Sequence, residues 1–77
     1  MLKEQLVNAA KLHAEAEIQL HKTNINVYMK NVVGIGEHSD IIETIQKELD
    51  AMATAHDRLE MLDKYFTTVI RNYDKKD

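Results

Sequence analysis

The chain has 77 residues, of which 44% are hydrophobic, and it contains 10 Lys plus Arg, 13 Asp plus Glu and no Cys. Chains of this size form a single domain and seldom stabilise themselves by an apolar core alone, so they add disulfides, a metal or self-association. Without Cys, a disulfide framework and a thiolate zinc site are both excluded, and no oxidising compartment is needed. We therefore expect self-association and a cytoplasmic location.

The charge distribution argues against two classes of partner. Residues 1–33 carry a net charge of +1 and residues 34–77 a net charge of −4, so neither half is basic. Nucleic-acid binding normally requires Lys and Arg gathered on one face. A membrane span needs about 20 consecutive apolar residues, and a signal peptide needs an unbroken apolar run near the N-terminus. We expect no nucleic-acid partner, no membrane segment and no signal peptide.

The only two glycines, Gly34 and Gly36, divide the chain into two halves with helical spacing of apolar residues. The pattern predicts one domain over residues 1–77: a helix over about 2–32, a turn over about 33–39, a second helix over about 40–73 and a frayed tail over 74–77. A connection this short makes the two helices antiparallel neighbours. The predicted fold is all-α, an antiparallel two-helix hairpin.

The first predicted helix carries two apolar stripes more than a quarter-turn apart. A hairpin offers one partner helix and needs one stripe, so two stripes predict contact with a second chain. We expect a dimeric four-helix bundle or a higher helical oligomer, formed through whichever stripe the hairpin leaves uncovered. The first stripe is centred on Val7, Ala14, Ile18 and Ile25, and the second contains Leu2, Leu6, Ala9, Leu12, Ala16, Leu20 and Val27.

Polar residues lie between these stripes, with His13, Glu17 and His21 spaced four residues apart along one side of the helix. In an antiparallel hairpin Glu17 and His21 lie at about the level of His56, and such a set could bind a divalent metal. The favoured interpretation is instead a hydrogen-bonded polar layer that sets helix register. Neither metal-binding helical pattern, His-Glu-x-x-His or Glu-x-x-His, is present, so no metal or cofactor is predicted.

The turn and the start of the second helix carry local signals. Gly34 suits the left-handed position that ends a helix, and Asp40 with Glu43 forms a capping box, with Ser39 as the alternative N-cap. There is no phosphate-binding glycine motif. Ser39, the only Ser, adjoins His38 too closely in sequence to be activated by it. We expect no enzymatic activity.

The second half shows a strict alternation of three- and four-residue steps, which is typical of a coiled-coil seam. Its polar members are His56 and Asp63. Helical drift would move the apolar face to Leu62 and Val69 and carry Asp63 to the edge, whereas His56 is predicted to be buried and neutral. The seam consists of Ile42, Ile45, Leu49, Met52, His56, Leu59, Asp63, Phe66, Ile70 and Tyr73.

The run Asn31-Val32-Val33-Gly34-Ile35-Gly36-Glu37-His38-Ser39-Asp40, together with Asp57, Leu59, Glu60, Leu62, Tyr65 and Phe66, resembles small uncharacterised helical proteins of tailed bacteriophages, especially those of marine bacteria and cyanobacteria. In that family a Pro commonly occupies the position of Val32. The resemblance implies a viral or virus-derived marine origin, a location in the host cytoplasm and no established activity. Because the turn is so distinctive, we also hypothesise that Ile35, Glu37 and His38 contact a partner protein.

The function expected from the sequence is that of a non-enzymatic helical hairpin which acts through self-association and protein contacts, in phage assembly or host takeover. One alternative is a ligand- or metal-binding module that uses the polar residues His13, Glu17, His21 and His56. Another is a structural component of the virion.

Overall fold

The computed structural model describes residues 2–31 and 38–66, with only the backbone described for residues 38 and 39. It contains two helices, α1 (Leu2–Lys30) and α2 (His38–Tyr65), which pack against each other along their length. At 1.5 Å per residue each helix is about 43 Å long. The prediction of an all-α hairpin is confirmed.

Three polar contacts between the helices fix their relative direction. Lys11 pairs with Asp63, Glu17 with Arg58, and His21 with Glu48. As the residue number rises along α1, the number of its partner on α2 falls, so the helices are antiparallel.

The helix ends carry charges that suit the helix dipole. Glu4 lies in the first turn of α1 and Lys30 in its last turn, while Asp40 lies in the first turn of α2 and Lys64 in its last turn. Acidic groups at an N-terminus and basic groups at a C-terminus stabilise a helix. α2 begins at His38, two residues before the predicted capping box, so Asp40 lies inside the first turn instead of at the N-cap.

Of the two stripes on α1, the hairpin covers the one centred on Val7, Ala14, Ile18 and Ile25. Ala14 and Ile25 are buried, and Val7 and Ile18 are partly buried. The second stripe remains exposed on the far side of α1.

The face of α2 that meets α1 differs from the predicted seam. Ile42 and Leu49 are largely exposed, and the His56 and Asp63 side chains are exposed too. The covered face is displaced by about one residue along much of α2, so that Glu48 and Ala55 take the places expected for Leu49 and His56. Leu62 is partly covered and Asp63 is exposed, as expected from helical drift. It comprises Ile41, Thr44, Ile45, Glu48, Ala51, Met52, Ala55, Leu59 and Leu62.

The displacement has a packing reason. Ala14 is 2% exposed and Ala55 is 1% exposed, whereas the larger residues around them are only partly covered. Small side chains let two helix backbones approach closely, and the rotation of α2 turns Ala55 inward, where it is buried. The prediction that His56 is buried was wrong, because Ala55 occupies the inward position.

The apolar core of the hairpin is small. Among the described residues only Ala14, Ile25 and Ala55 are buried, and two of these have a single methyl as side chain. Neither α1 nor α2, as described, is long and apolar enough to cross a membrane.

Several predictions concern residues outside the described ranges. These are the glycine turn with Ile35 and Glu37, the part of the second helix beyond residue 66, and the tail over 74–77. The His38 side chain also lies outside the described part of the chain.

Candidate interaction surface

The most prominent surface feature is the uncovered stripe of α1, here called the outer stripe, formed by Leu2, Leu6, Ala9, Leu12, Ala16, Leu20 and Val27. At 100° per residue its centre lies about 140° around α1 from the face that meets α2. Its five large apolar side chains are between 49% and 69% exposed. Scattered exposed leucines are normal on a protein surface, but an aligned row of them marks a contact surface.

The polar residues predicted to form one layer separate into two groups. His13 Nδ1 lies 3.6 Å from Glu17 Oε1, and the same Glu17 oxygen accepts a hydrogen bond from Arg58 Nη1 at 3.1 Å. His21 instead contacts Glu48, and His56 is exposed elsewhere on α2. His56 therefore does not complete a set with Glu17 and His21.

The described residues contain no group of three or more His, Asp or Glu side chains arranged to hold a metal ion. Glu17 contacts His13, but the same carboxylate oxygen also pairs with Arg58. The four candidate metal ligands therefore do not surround a common point at which an ion could bind.

A polar cluster between the helices, formed by His21, Asn24 and Glu48, connects α1 to α2. His21 Nδ1 lies 2.7 Å from Glu48 Oε1, and Asn24 Nδ2 donates to the same oxygen at 3.1 Å. The side chains of His21 and Glu48 are only about one-fifth exposed. Two hydrogen bonds that converge on one carboxylate oxygen fix the register of the two helices near the turn.

The electrostatics of this cluster favour an ionised Glu48. The hydrogen bond from His21, and then that from Asn24, lowers the pKa of the Glu48 carboxyl below its ordinary value of 4.5. Partial burial opposes this shift without reversing it. Hydrogen bonds that stabilise the charged form are the general cause of such a lowering.

Glu48 was the residue of this cluster that sequence reasoning missed. The sequence pattern placed Glu48 on the solvated face of the second helix, because the predicted seam placed Leu49 inward. His21 was already recognised as a polar residue between the α1 stripes, and Asn24 lies three residues further along the same side of α1. Their polar partner could be found only once the rotation of α2 was known.

Two further ion pairs lie near the end of the hairpin away from the turn. Lys11 Nζ is 3.9 Å from Asp63 Oδ1, and Arg58 Nη1 is 3.1 Å from Glu17 Oε1. Both pairs are partly or largely exposed to solvent, where ion pairs contribute little to stability. They are consistent with the antiparallel register but do not define a chemical site.

An open groove of about 530 Å³ runs between the helices near Ala10 and Ala14 of α1 and Met61 and Phe66 of α2. Its lining is mostly apolar. His13, Asp57 and Arg58 supply the charged and titratable groups at its margin. The groove lies beside the outer stripe, since His13 flanks both.

The chain was compared with protein-family models, with curated proteins and with solved structures, and no match was found in any of the three comparisons.

Proposed function

We propose that this chain is a self-associating helical hairpin that acts through protein contacts, with the outer stripe of α1 as its contact surface and no catalytic role. The observation that carries the proposal is the exposure of five large apolar side chains along one side of a single helix. They lie away from α2, so no rearrangement within the hairpin covers them without uncovering Ala14 and Ile25.

The small core supports the same proposal. Among the described residues only Ala14, Ile25 and Ala55 are buried, whereas the large side chains of the outer stripe are exposed. Burial of apolar surface is the main favourable term in folding. A second chain against the outer stripe adds the burial that the isolated hairpin lacks.

The decisive experiment is a mass measurement in solution. Light scattering across micromolar concentrations is expected to give at least two chains per particle, with thermal stability rising with protein concentration because association stabilises the folded state. A folded monomer whose melting temperature does not depend on concentration contradicts the proposal.

The biological setting that we propose rests on the resemblance of the turn region to small phage proteins. In that setting the hairpin acts in assembly or host takeover inside the infected cell. Mass spectrometry of purified virions and of infected cells separates the alternatives. A virion structural component is present in purified particles, and a takeover factor is present only in the cells.

A further inference from the structure

The outer side of α1 has a periodicity that is symmetric about its own centre. Starting at Leu2 and ending at Val27, eight positions follow one another in steps of 4, 3, 4, 3, 4, 3 and 4 residues, and all eight are exposed. We infer that the partner on this surface is a second copy of the chain, with the two α1 helices antiparallel and a two-fold axis between residues 14 and 15. This inference rests on the proposed self-association. The eight positions are Leu2, Leu6, Ala9, His13, Ala16, Leu20, Thr23 and Val27.

The side chains complement one another in this arrangement. An antiparallel pair about that axis sets Ala9 opposite the partner's Leu20, and each such contact occurs twice because a two-fold interface is self-complementary. A large side chain therefore meets a small one where the seam contains alanine. The other layers pair Leu2 with Val27, Leu6 with Thr23, and His13 with Ala16.

A parallel pair in register is less favourable for the same residues. It sets Ala9 against Ala9 and Ala16 against Ala16, which leaves space between the helices, and it places two His13 rings together. Layers of uneven volume pack poorly, and poor packing loses contact energy. The antiparallel pair gives layers of more even size.

The residues beside the seam permit close approach of two chains that each carry a net charge of −3. On one flank, Gln5, Leu12, Gln19 and Asn26 recur every seven residues, and none is charged. On the other flank, Glu17 faces the region of the partner's Ala10. Flanking charges normally govern partner choice in paired helices, and here no like charges face each other.

The seam is long enough to hold two helices together. Its 25-residue span corresponds to about 38 Å of helix axis, or between three and four heptads. Since the outer stripe lies about 140° from the covered face of α1, the assembly has the two α1 helices in the middle and an α2 helix at each outer side.

Introduced cysteines test the arrangement directly, because the natural chain has none. An equimolar mixture of Ala9→Cys and Leu20→Cys chains is refolded together and mildly oxidised, and the products are identified by intact mass. The mixed disulfide is expected to predominate over both self-linked products. In an antiparallel pair of two Ala9→Cys chains, the two introduced sulfurs are separated along the axis by about 16 Å, beyond disulfide reach.

A spin-label measurement supplies a second readout that needs no disulfide. Labels at Ala16→Cys are expected to be close together, since the two positions are offset by about 4.5 Å along the axis. Labels at Leu2→Cys are expected to be about 37 Å apart along the same axis. Helix content and solution mass of each variant are measured alongside.

The outcomes separate the geometry from the proposed function. A predominant mixed disulfide with one short and one long label distance supports the antiparallel pair. Three outcomes overturn the antiparallel pair while self-association stands. They are a predominant Ala9→Cys self-linked product, short distances at both labels, and a dimer that gives no cross-link. A monomeric wild-type mass overturns both.

Discussion

Truncation of Leu20 to Ala tests the contact surface most directly. Leu20 lies on the outer stripe and is 55% exposed, so it makes little contact within the hairpin. Ala has a higher helix propensity than Leu, so the substitution does not weaken α1 itself. Any loss of assembly must then come from the missing side chain at the contact with another chain.

The expected magnitude follows from the exposed fraction. Full burial of a leucine side chain contributes about 1.5–3 kcal/mol, so covering the exposed half of Leu20 contributes about 0.8–1.6 kcal/mol. A two-fold interface contains the residue twice, which gives about 2–3 kcal/mol for the dimer. The dissociation constant of Leu20→Ala is therefore expected to rise by about 30- to 150-fold.

Sedimentation equilibrium over a range of concentrations measures that constant, and circular dichroism checks that the helix content is retained. The matched control is Leu49→Ala, which removes the same side chain from a site that is 48% exposed on α2, away from the outer stripe. Its dissociation constant is expected to remain within about threefold of wild type, since the side chain lies outside the contact surface.

Two results would contradict the placement of Leu20 in a contact between chains. One is a Leu20→Ala protein that associates as tightly as wild type, which would mean that the outer stripe is not in contact. The other is equal weakening by Leu20→Ala and Leu49→Ala, which would place α2 in the interface.

The remaining predictions concern the hairpin itself. Because the folded-state pKa of Glu48 is lowered, its ionised form stabilises the fold above about pH 4.5, and this stabilisation is lost as the pH falls through the folded pKa. The difference in melting temperature between wild type and Glu48→Gln should therefore shrink from pH 7 to pH 3. A difference that stays constant over this range contradicts the stabilising role of the Glu48 carboxylate. Ala55→Leu should destabilise the fold by about 1–3 kcal/mol in urea titrations, because Ala55 is buried and a larger side chain overpacks the space between the helices, whereas Ala53→Leu at an exposed site should leave the midpoint nearly unchanged. His56→Gln should change the free energy of unfolding by no more than about 0.5 kcal/mol, because the side chain is exposed, and a larger loss of stability would indicate that the ring is buried.

The polar cluster selects the axial register of the two helices, whereas the apolar contacts stabilise the hairpin without selecting one register. Apolar contacts between two long helices are tolerant of small axial shifts, because many leucine and isoleucine pairs are nearly equivalent. The bonds from His21 and Asn24 to a single Glu48 oxygen are lost when the helices slide. A partly buried polar group without its partner is costly, so the cluster disfavours other registers.

The amino-acid sequence is enough to predict the two helices and their antiparallel direction. Helical spacing, the absence of Pro and the isolated glycine pair are local signals, and they were enough to predict two antiparallel helices. The two stripes on α1 were also visible, because the position of a residue around a helix depends only on its number in the chain.

The choice of the α1 stripe that faces α2, and the rotation of α2 about its axis, follow from the packing of the two helices against each other. Both choices depend on complementarity between the helices, which single-helix periodicity does not contain. Ala14 and Ala55 are both buried where the helices pack, and His21 meets Glu48 where a polar partner is needed. That rotation exposes His56 and leaves the outer stripe uncovered, because the hairpin can bury only one side of α1.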